Sequence, residues 1–147
     1  MRLNLIISVA LLLALAGICL GAVVIKEVEL SPPGDARNKD SPQWVKLYNS
    51  GGEDVDISGW RLTTSEGKIV LPEGTVLSAY DTYKVTQKYS WLNTENESVV
   101  LMAANGSIID RTPKLSDSAR DEYAWSRIGI TRANTIQDWS FQAASYD

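Results

Sequence analysis

Catalytic chemistry has few candidate residues in this sequence. The 147-residue chain contains no histidine, the side chain used most often as a general base and as a metal ligand. No serine stands on a recognisable nucleophile turn, and no pair of acidic residues has a spacing that indicates acid–base catalysis. The single cysteine, Cys19, leaves no partner for an intramolecular disulfide. The sequence therefore predicts a protein that is not an enzyme and that uses no cofactor.

Acidic side chains are grouped near two predicted turns, and carboxylates are the ligands that calcium prefers. The two groups are Glu53, Asp54 and Asp56, and Asp117, Asp121 and Glu122. Neither group has the full ligand spacing of an EF-hand loop. We therefore expect these acids to be solvated loop residues, and we predict no metal site.

Aromatic side chains are the main candidates for ligand contact. The chain has five tryptophans, and an indole can stack on a sugar face while its N–H finds a polar partner. The four that we expect to fill the core or to pin the closing strands are Trp44, Trp60, Trp125 and Trp139. Trp91 differs because the polar run 93–97 follows it closely. We predict that Trp91 caps a loop, either partly exposed as a contact residue or buried as a loop anchor.

Two segments match the acceptor pattern for N-linked glycosylation, Asn96–Ser98 and Asn105–Ser107. The second overlaps an Asn-Gly pair between two apolar runs, which predicts a hairpin with a primed two-residue turn. That turn already explains why Asn105 is present. Asn96 is therefore the candidate glycosylation site, and its use depends on export of the domain.

The elements that must position these residues are short strands. Runs rich in β-branched and aromatic residues recur after residue 22, separated by turn-forming Gly, Pro, Asn and Asp. The predicted strands are Val23–Leu30, Trp44–Tyr48, Trp60–Thr64, Lys68–Leu71, Thr82–Thr86, Ser98–Met102, Ser107–Arg111, Tyr123–Ile128 and Trp139–Gln142. Many short strands with regular turns indicate an all-β sandwich or barrel.

A charge-free apolar run from Leu3 to Ile25 follows the positive charge of Arg2. A start of this kind is read by the secretion machinery. The run exceeds the ~7–15 residues of a signal-peptide core, which favours an anchor, whereas the small residues Cys19 and Gly21 have the spacing that signal peptidase accepts. We therefore expect residues 1–22 to form a hydrophobic helix, either a signal peptide or a transmembrane anchor. Residues 23–147 are then one exported domain.

The charge of the chain bears on its partners. It contains 14 basic and 18 acidic residues, with a formal net charge of −4, and the basic residues are scattered. An acidic surface repels phosphate backbones. The composition therefore argues against nucleic acid as a partner.

Several segments carry the signatures of a known family. They are Ile25–Gly34, Gln43–Gly51, Asp54–Leu62, the hairpin Ser98–Asp110, and the closing segments Tyr123–Ile128 and Asp138–Phe141. In this order they resemble the lamin tail domain family, particularly its prokaryotic exported members. The segment Trp44–Asn49 is similar to the family's Trp-Val-Glu-Leu-Tyr-Asn signature, with Lys46 where glutamate is common. The resemblance implies an immunoglobulin-like β-sandwich.

The resemblance also implies a binding or structural role. We expect a non-catalytic module that is extracytoplasmic, either membrane-anchored through its N-terminal helix or secreted. Such a module would present loops or an edge strand to another protein or to a cell-envelope polymer. Some prokaryotic relatives accompany secreted nucleases, so a nucleic-acid-contacting adapter is the alternative.

Overall fold

The computed structural model describes residues 22–34, 42–87, 89–132 and 134–146. Its strands are β1 (Val23–Glu29), β2 (Trp44–Asn49), β3 (Val55–Asp56), β4 (Arg61–Thr64), β5 (Gly67–Val70), β6 (Val76–Leu77), β7 (Thr82–Thr86), β8 (Val100–Met102), β9 (Ile108–Arg111), β10 (Tyr123–Arg127) and β11 (Trp139–Ala143). A short 3₁₀ turn at Ile136–Asp138 precedes β11. The predicted all-β class is confirmed within these ranges.

The hydrophobic helix predicted for residues 1–22 lies outside the described residues, apart from Ala22 at its end. A search of the described ranges finds no helix long and apolar enough to cross a membrane.

Two antiparallel sheets form a sandwich. One has five strands in the order β11-β10-β1-β2-β7, and the other has four in the order β5-β4-β8-β9. The two-residue strands β3 and β6 pair separately. Each of the nine predicted segments overlaps one strand, whereas β3 and β6 were not predicted because two residues are too few to show an alternation.

The core lies between the two sheets. Val45 and Leu47 of β2 belong to the buried cluster together with Leu62 of β4 and Leu101 of β8. Full burial of such a side chain contributes about 1.5–3 kcal/mol relative to exposure. Because side chains alternate along a strand, Trp44, Lys46 and Tyr48 of β2 face away from this core, whereas Asn49 lies on the core side. We call that second surface of the five-stranded sheet the outer face.

A buried ion pair satisfies the backbone hydrogen-bonding groups at an irregularity in β1. The β1–β2 register shifts between Ile25 and Glu27, which marks a bulge. At the bulge, Asp110 Oδ2 accepts the Ile25 N–H at 2.7 Å and lies 2.7 Å from Arg127 Nη2, while Arg127 Nε donates to the Ile25 carbonyl at 2.8 Å. Asp110 belongs to the four-stranded sheet and Arg127 to the five-stranded sheet. The pair therefore satisfies the irregular backbone and joins the two sheets.

The hairpin between β8 and β9 exists, but its turn is not of the predicted primed type. Gly106 donates to the Ala103 carbonyl at 2.9 Å, and Ala103 donates to the Ser107 carbonyl at 2.9 Å. Gly106 has a φ of 90°, whereas Asn105 is absent from the non-glycine residues with positive φ. This pattern is a three-residue loop in which one turn precedes a left-handed glycine. Asn105 favours it because its Oδ1 accepts the Ser107 N–H at 2.9 Å.

Candidate binding site

Trp91 lies in the core. Its side chain is 7% exposed, and its Nε1 donates to the Gln43 carbonyl at 3.2 Å. The Gln43 side chain in turn accepts the backbone N–H groups of Trp91 and Leu92, each at 3.0 Å. The expectation of a partly exposed Trp91 is therefore wrong, because buried hydrogen bonds hold the loop against the sandwich. Trp91 is a loop anchor, which was the other predicted outcome.

Asn96 is exposed and adopts a left-handed φ of 53°. The next residue, Glu97, is fully buried, and its two carboxylate oxygens accept hydrogen bonds from Ser65, Asn93 and Ser98. The acceptor asparagine is thus at the surface, while the middle residue of the acceptor pattern is fixed in the interior. Glycosylation of Asn96 stays a prediction.

The two acidic groups mostly cap turns. In the first group, Asp54 Oδ1 accepts the Ala79 N–H and Asp56 Oδ1 accepts the Ser58 N–H, both at 2.9 Å. In the second, Asp121 Oδ1 accepts the Tyr123 N–H at 2.9 Å. The Asp56 and Asp121 bonds are local and stabilise turns, whereas the Asp54 bond joins loops 25 positions apart. No set of three ligands in the described ranges is arranged to hold a metal ion.

Residues 144–146 fold back over the outer face, and we call them the C-terminal strap. Lys46 Nζ lies 3.6 Å from Glu27 Oε2 and donates to the Ser145 carbonyl at 2.6 Å. Ser145 donates its N–H to Glu27 Oε1 at 3.0 Å and its hydroxyl to Oε2 at 2.6 Å. Lys46, which stands where the family commonly has glutamate, therefore fastens the strap to the sheet.

Trp44 forms the floor of a cavity beside the strap. Its side chain is 3% exposed, so Trp44 is buried as expected, but it does not belong to the cluster between the two sheets. Its ring meets that of Tyr146 edge-on at 6.3 Å. Lys84 Nζ lies 5.1 Å from the Trp44 ring centre and donates to the Tyr146 carbonyl at 3.0 Å. The period-2 pattern of β2 already indicates that Trp44 points outward, because Trp44 alternates with the core residues Val45 and Leu47.

The cavity has a volume of about 250 Å³. Its lining is mostly apolar, with one cation: Pro32, Pro33, Pro42, Trp44, Lys84, Thr86 and Tyr146. We call it the Trp44 pocket. Three prolines add rigid apolar walls, since a proline ring fixes its own backbone φ. The pocket can therefore hold an apolar group beside a positive charge.

The Trp44 pocket opens next to an edge strand. β7 pairs with β2 through Trp44↔Thr86 and Lys46↔Lys84, and it is the last strand of its sheet. Paired residues share a face, so Lys84 and Thr86 point to the same outer face as the pocket floor. Among the described residues no strand pairs with the other side of β7. Its backbone N–H and C=O groups on that side are available for strand pairing.

A buried acid lies beside the pocket. Glu29, directly opposite Trp44 in the β1–β2 ladder, is 0% exposed. Its Oε1 accepts the Ser31 N–H at 3.0 Å, while Oε2 has no partner. Burial raises the pKa of Glu29 to about 8, and the carboxylates of Asp117 and Asp121 contribute in the same direction. Glu29 is therefore mostly neutral at pH 7, so it adds little negative charge beside the pocket.

Comparison with family models gives a match to the Lamin Tail Domain over residues 20–114, more than half of the chain. The matched range contains β1 to β9, and β10, β11 and the C-terminal strap follow it. No curated protein matches the chain.

Proposed function

Because the chain belongs to the lamin tail domain family, we propose that it is a non-catalytic binding module acting outside the cytoplasmic membrane. The family and the immunoglobulin-like sandwich support a binding or structural role. The apolar run from Leu3 to Ile25 supports export, with the module either membrane-anchored or released. Its partner is an extended segment of another exported protein.

One observation carries the choice of partner: the Trp44 pocket lies on the same face as the outward side chains of the open edge strand β7. An extended peptide that pairs with an edge strand gains main-chain hydrogen bonds, and pockets for its alternate side chains give specificity. The open edge of β7 offers the main-chain hydrogen bonds, and the Trp44 pocket accepts a side chain of the peptide. Both are formed by β7 and its neighbour β2.

The pocket also indicates which side chains the peptide carries. A volume of about 250 Å³ is below the ~300–1,000 Å³ of sites for drug-sized ligands, and suits one large apolar side chain. Lys84 lies on the same face and attracts a carboxylate. Successive side chains on one face of a strand are about 6.8 Å apart. The expected motif is therefore an apolar residue and an acidic residue separated by one position.

A protein segment fits better than an envelope polysaccharide. Sugar platforms use broad exposed aromatic faces, whereas Trp91 is buried in the core and Trp44 is 3% exposed, at the base of a small pocket. Nucleic acid is also a poorer candidate than a protein segment, because the net charge of −4 repels phosphate groups. Neither alternative uses the open edge of β7.

The test is a peptide-display selection with Lys84→Glu as the variant and Lys68→Glu as the matched control. Lys68 is an exposed lysine on β5, in the other sheet. The wild-type protein and the control should select the same apolar and acidic motif. Lys84→Glu should lose at least about tenfold in affinity for it, corresponding to about 1.4 kcal/mol. Equal affinity in both variants, or retention of DNA that modest salt abolishes, would overturn this proposal.

Location is tested separately by the intact mass and the membrane partitioning of the protein from its native host. The full-length mass in the membrane fraction corresponds to an anchored module. A product that lacks the leader and is soluble outside the cell corresponds to a secreted one. A full-length protein in the cytosol would contradict export.

A further inference from the structure

The edge of the five-stranded sheet opposite β7 is β11. It pairs with β10 over five residue pairs, from Arg127↔Trp139 to Tyr123↔Ala143, and it is the last strand on that side. Within the described part of the chain no strand pairs with its outer edge. The strap leaves this edge clear, because Ala144 donates to the Glu122 carbonyl at 2.8 Å and Ser145 then reaches Glu27 on the inner side of β10.

β11 lacks the devices that normally protect an edge strand. Its sequence, Trp-Ser-Phe-Gln-Ala, contains no charge, no proline and no glycine. The other sandwich edges each carry a charged side chain that is not buried: Lys84 in β7, Lys68 in β5 and Arg111 in β9. A charge on an edge disfavours pairing with an identical copy, although a strand that carries the opposite charge can still pair there. An unprotected edge of five residues therefore indicates a surface used for pairing.

An exposed aromatic patch accompanies this edge. Phe141 is 41% exposed and Tyr123 is 47% exposed, and their rings are 5.7 Å apart. Trp125 lies directly opposite Phe141 in the ladder, with the two rings 5.3 Å apart. Large exposed apolar groups in contact with one another mark interaction surfaces more often than isolated ones do. The patch and the open backbone belong to the same two strands.

We infer that β11 is a homodimer interface, in which it pairs antiparallel with β11 of a second copy about a twofold axis near Phe141. The two five-stranded sheets become one continuous sheet, and each Phe141 lies opposite its equivalent. Aromatic cross-strand pairs are among those that stabilise antiparallel sheets. A twofold contact also closes, so it gives a dimer rather than a filament.

Charge distinguishes a second copy from other occupants. No like charges meet when β11 pairs with itself, since none of its residues is charged. The same operation on β7 would place two copies of its central residue, Lys84, opposite each other. Like charges in direct opposition destabilise a strand pair. A charged partner strand would bring an unpaired charge to β11, whereas an identical uncharged edge brings none.

The experiment uses the full chain with Cys19→Ser, so that each variant carries one thiol. Phe141→Cys is compared with Ile108→Cys, a control at the start of the edge strand β9 whose native side chain is 52% exposed. Oxidation with copper phenanthroline should give a disulfide-linked dimer several-fold faster for Phe141→Cys than for the control. Because both variants keep the N-terminal run, association through that run would accelerate both equally.

A second variant guards against local distortion. Gln142→Lys puts a charge on the exposed part of β11, and it should lower the dimer fraction in sedimentation while thermal unfolding of the subunit stays intact. Equal cross-linking at both cysteine sites, or an unchanged dimer fraction in Gln142→Lys, would overturn the inference. Peptide selection at β7 is independent of both results, so a failure here is distinguishable from a failure of the proposed function.

Discussion

Replacing Glu29 by glutamine should stabilise the domain at neutral pH and have little effect in acid. Glu29 is fully buried, and one of its carboxylate oxygens has no hydrogen-bond partner. The groups that oppose its ionisation come from several elements, namely Asp117, Asp121 and Glu27. A neutral amide has nearly the shape of the protonated acid. At pH 7 it therefore avoids the free-energy cost of protonating this side chain on folding.

The size of the effect follows from the pKa of Glu29, which rises from 4.5 to about 8 on folding. Because the folded-state pKa is the higher one, the stability is greatest below the unfolded pKa and is lost as the pH rises toward the folded pKa. At pH 7 the loss covers about 2.5 pH units at about 1.4 kcal/mol each, or about 3.5 kcal/mol. Burial raises the pKa of Asp117 as well, and this adds to the slope in the same direction.

The assay is denaturant unfolding, followed by tryptophan fluorescence, of the wild type and Glu29→Gln between pH 4.5 and 8. The variant should gain about 3.5 kcal/mol over the wild type at pH 7 and almost nothing at pH 4.5. The control is Glu97→Gln, because Glu97 is equally buried but both of its oxygens accept hydrogen bonds. The control should be destabilised at pH 7. A Glu29→Gln variant that loses stability at pH 7, or gains equally at both pH values, would refute the reasoning.

Three further substitutions test contacts that hold the sandwich together. Asp110→Ala should cost about 3–5 kcal/mol in urea unfolding because it leaves the buried Arg127 guanidinium unpaired, and a loss below about 1 kcal/mol would contradict a structural ion pair. Gln43→Ala should cost about 2–3 kcal/mol and speed hydrogen exchange at the Trp91 N–H, whereas unchanged exchange would contradict the anchor. Gly106→Ala should cost about 1–2 kcal/mol in thermal unfolding, since its φ is 90°; a neutral result would contradict the left-handed turn.

Local chemistry made most strands readable in the sequence. Thr82–Thr86 has β-branched and aromatic residues between turn formers, and the strand has the predicted bounds. The hairpin turn was predicted in place but not in type, because Asn-Gly serves both a two-residue turn and a three-residue turn that ends in glycine. The three-residue turn forms because Ala103 pairs with Ser107 across the hairpin. The Asn-Gly sequence alone does not determine which residues pair across the turn.

The site was harder to predict because distant segments build it. Trp44 was expected in the core, yet the strap covers it from the outer face, and Ser145 contacts Glu27 across 118 positions of sequence. The partial exposure of Trp91 was predicted from its polar neighbours, whereas hydrogen bonds to Gln43, 48 positions away, hold its loop against the sandwich. The ion pair of Asp110 with Arg127 likewise depends on how the two sheets meet. Sequence periodicity identifies faces, but it does not say what covers them.

Hydrogen exchange at β7, measured with and without a bound peptide that carries the apolar and acidic motif, tests the central claim most directly. The account predicts that the peptide slows exchange of the β7 backbone N–H groups on the side away from β2, and leaves exchange in β11 unchanged. Binding that leaves β7 unprotected, or protection confined to another edge or loop, would contradict the claim that β7 and the Trp44 pocket form the binding site.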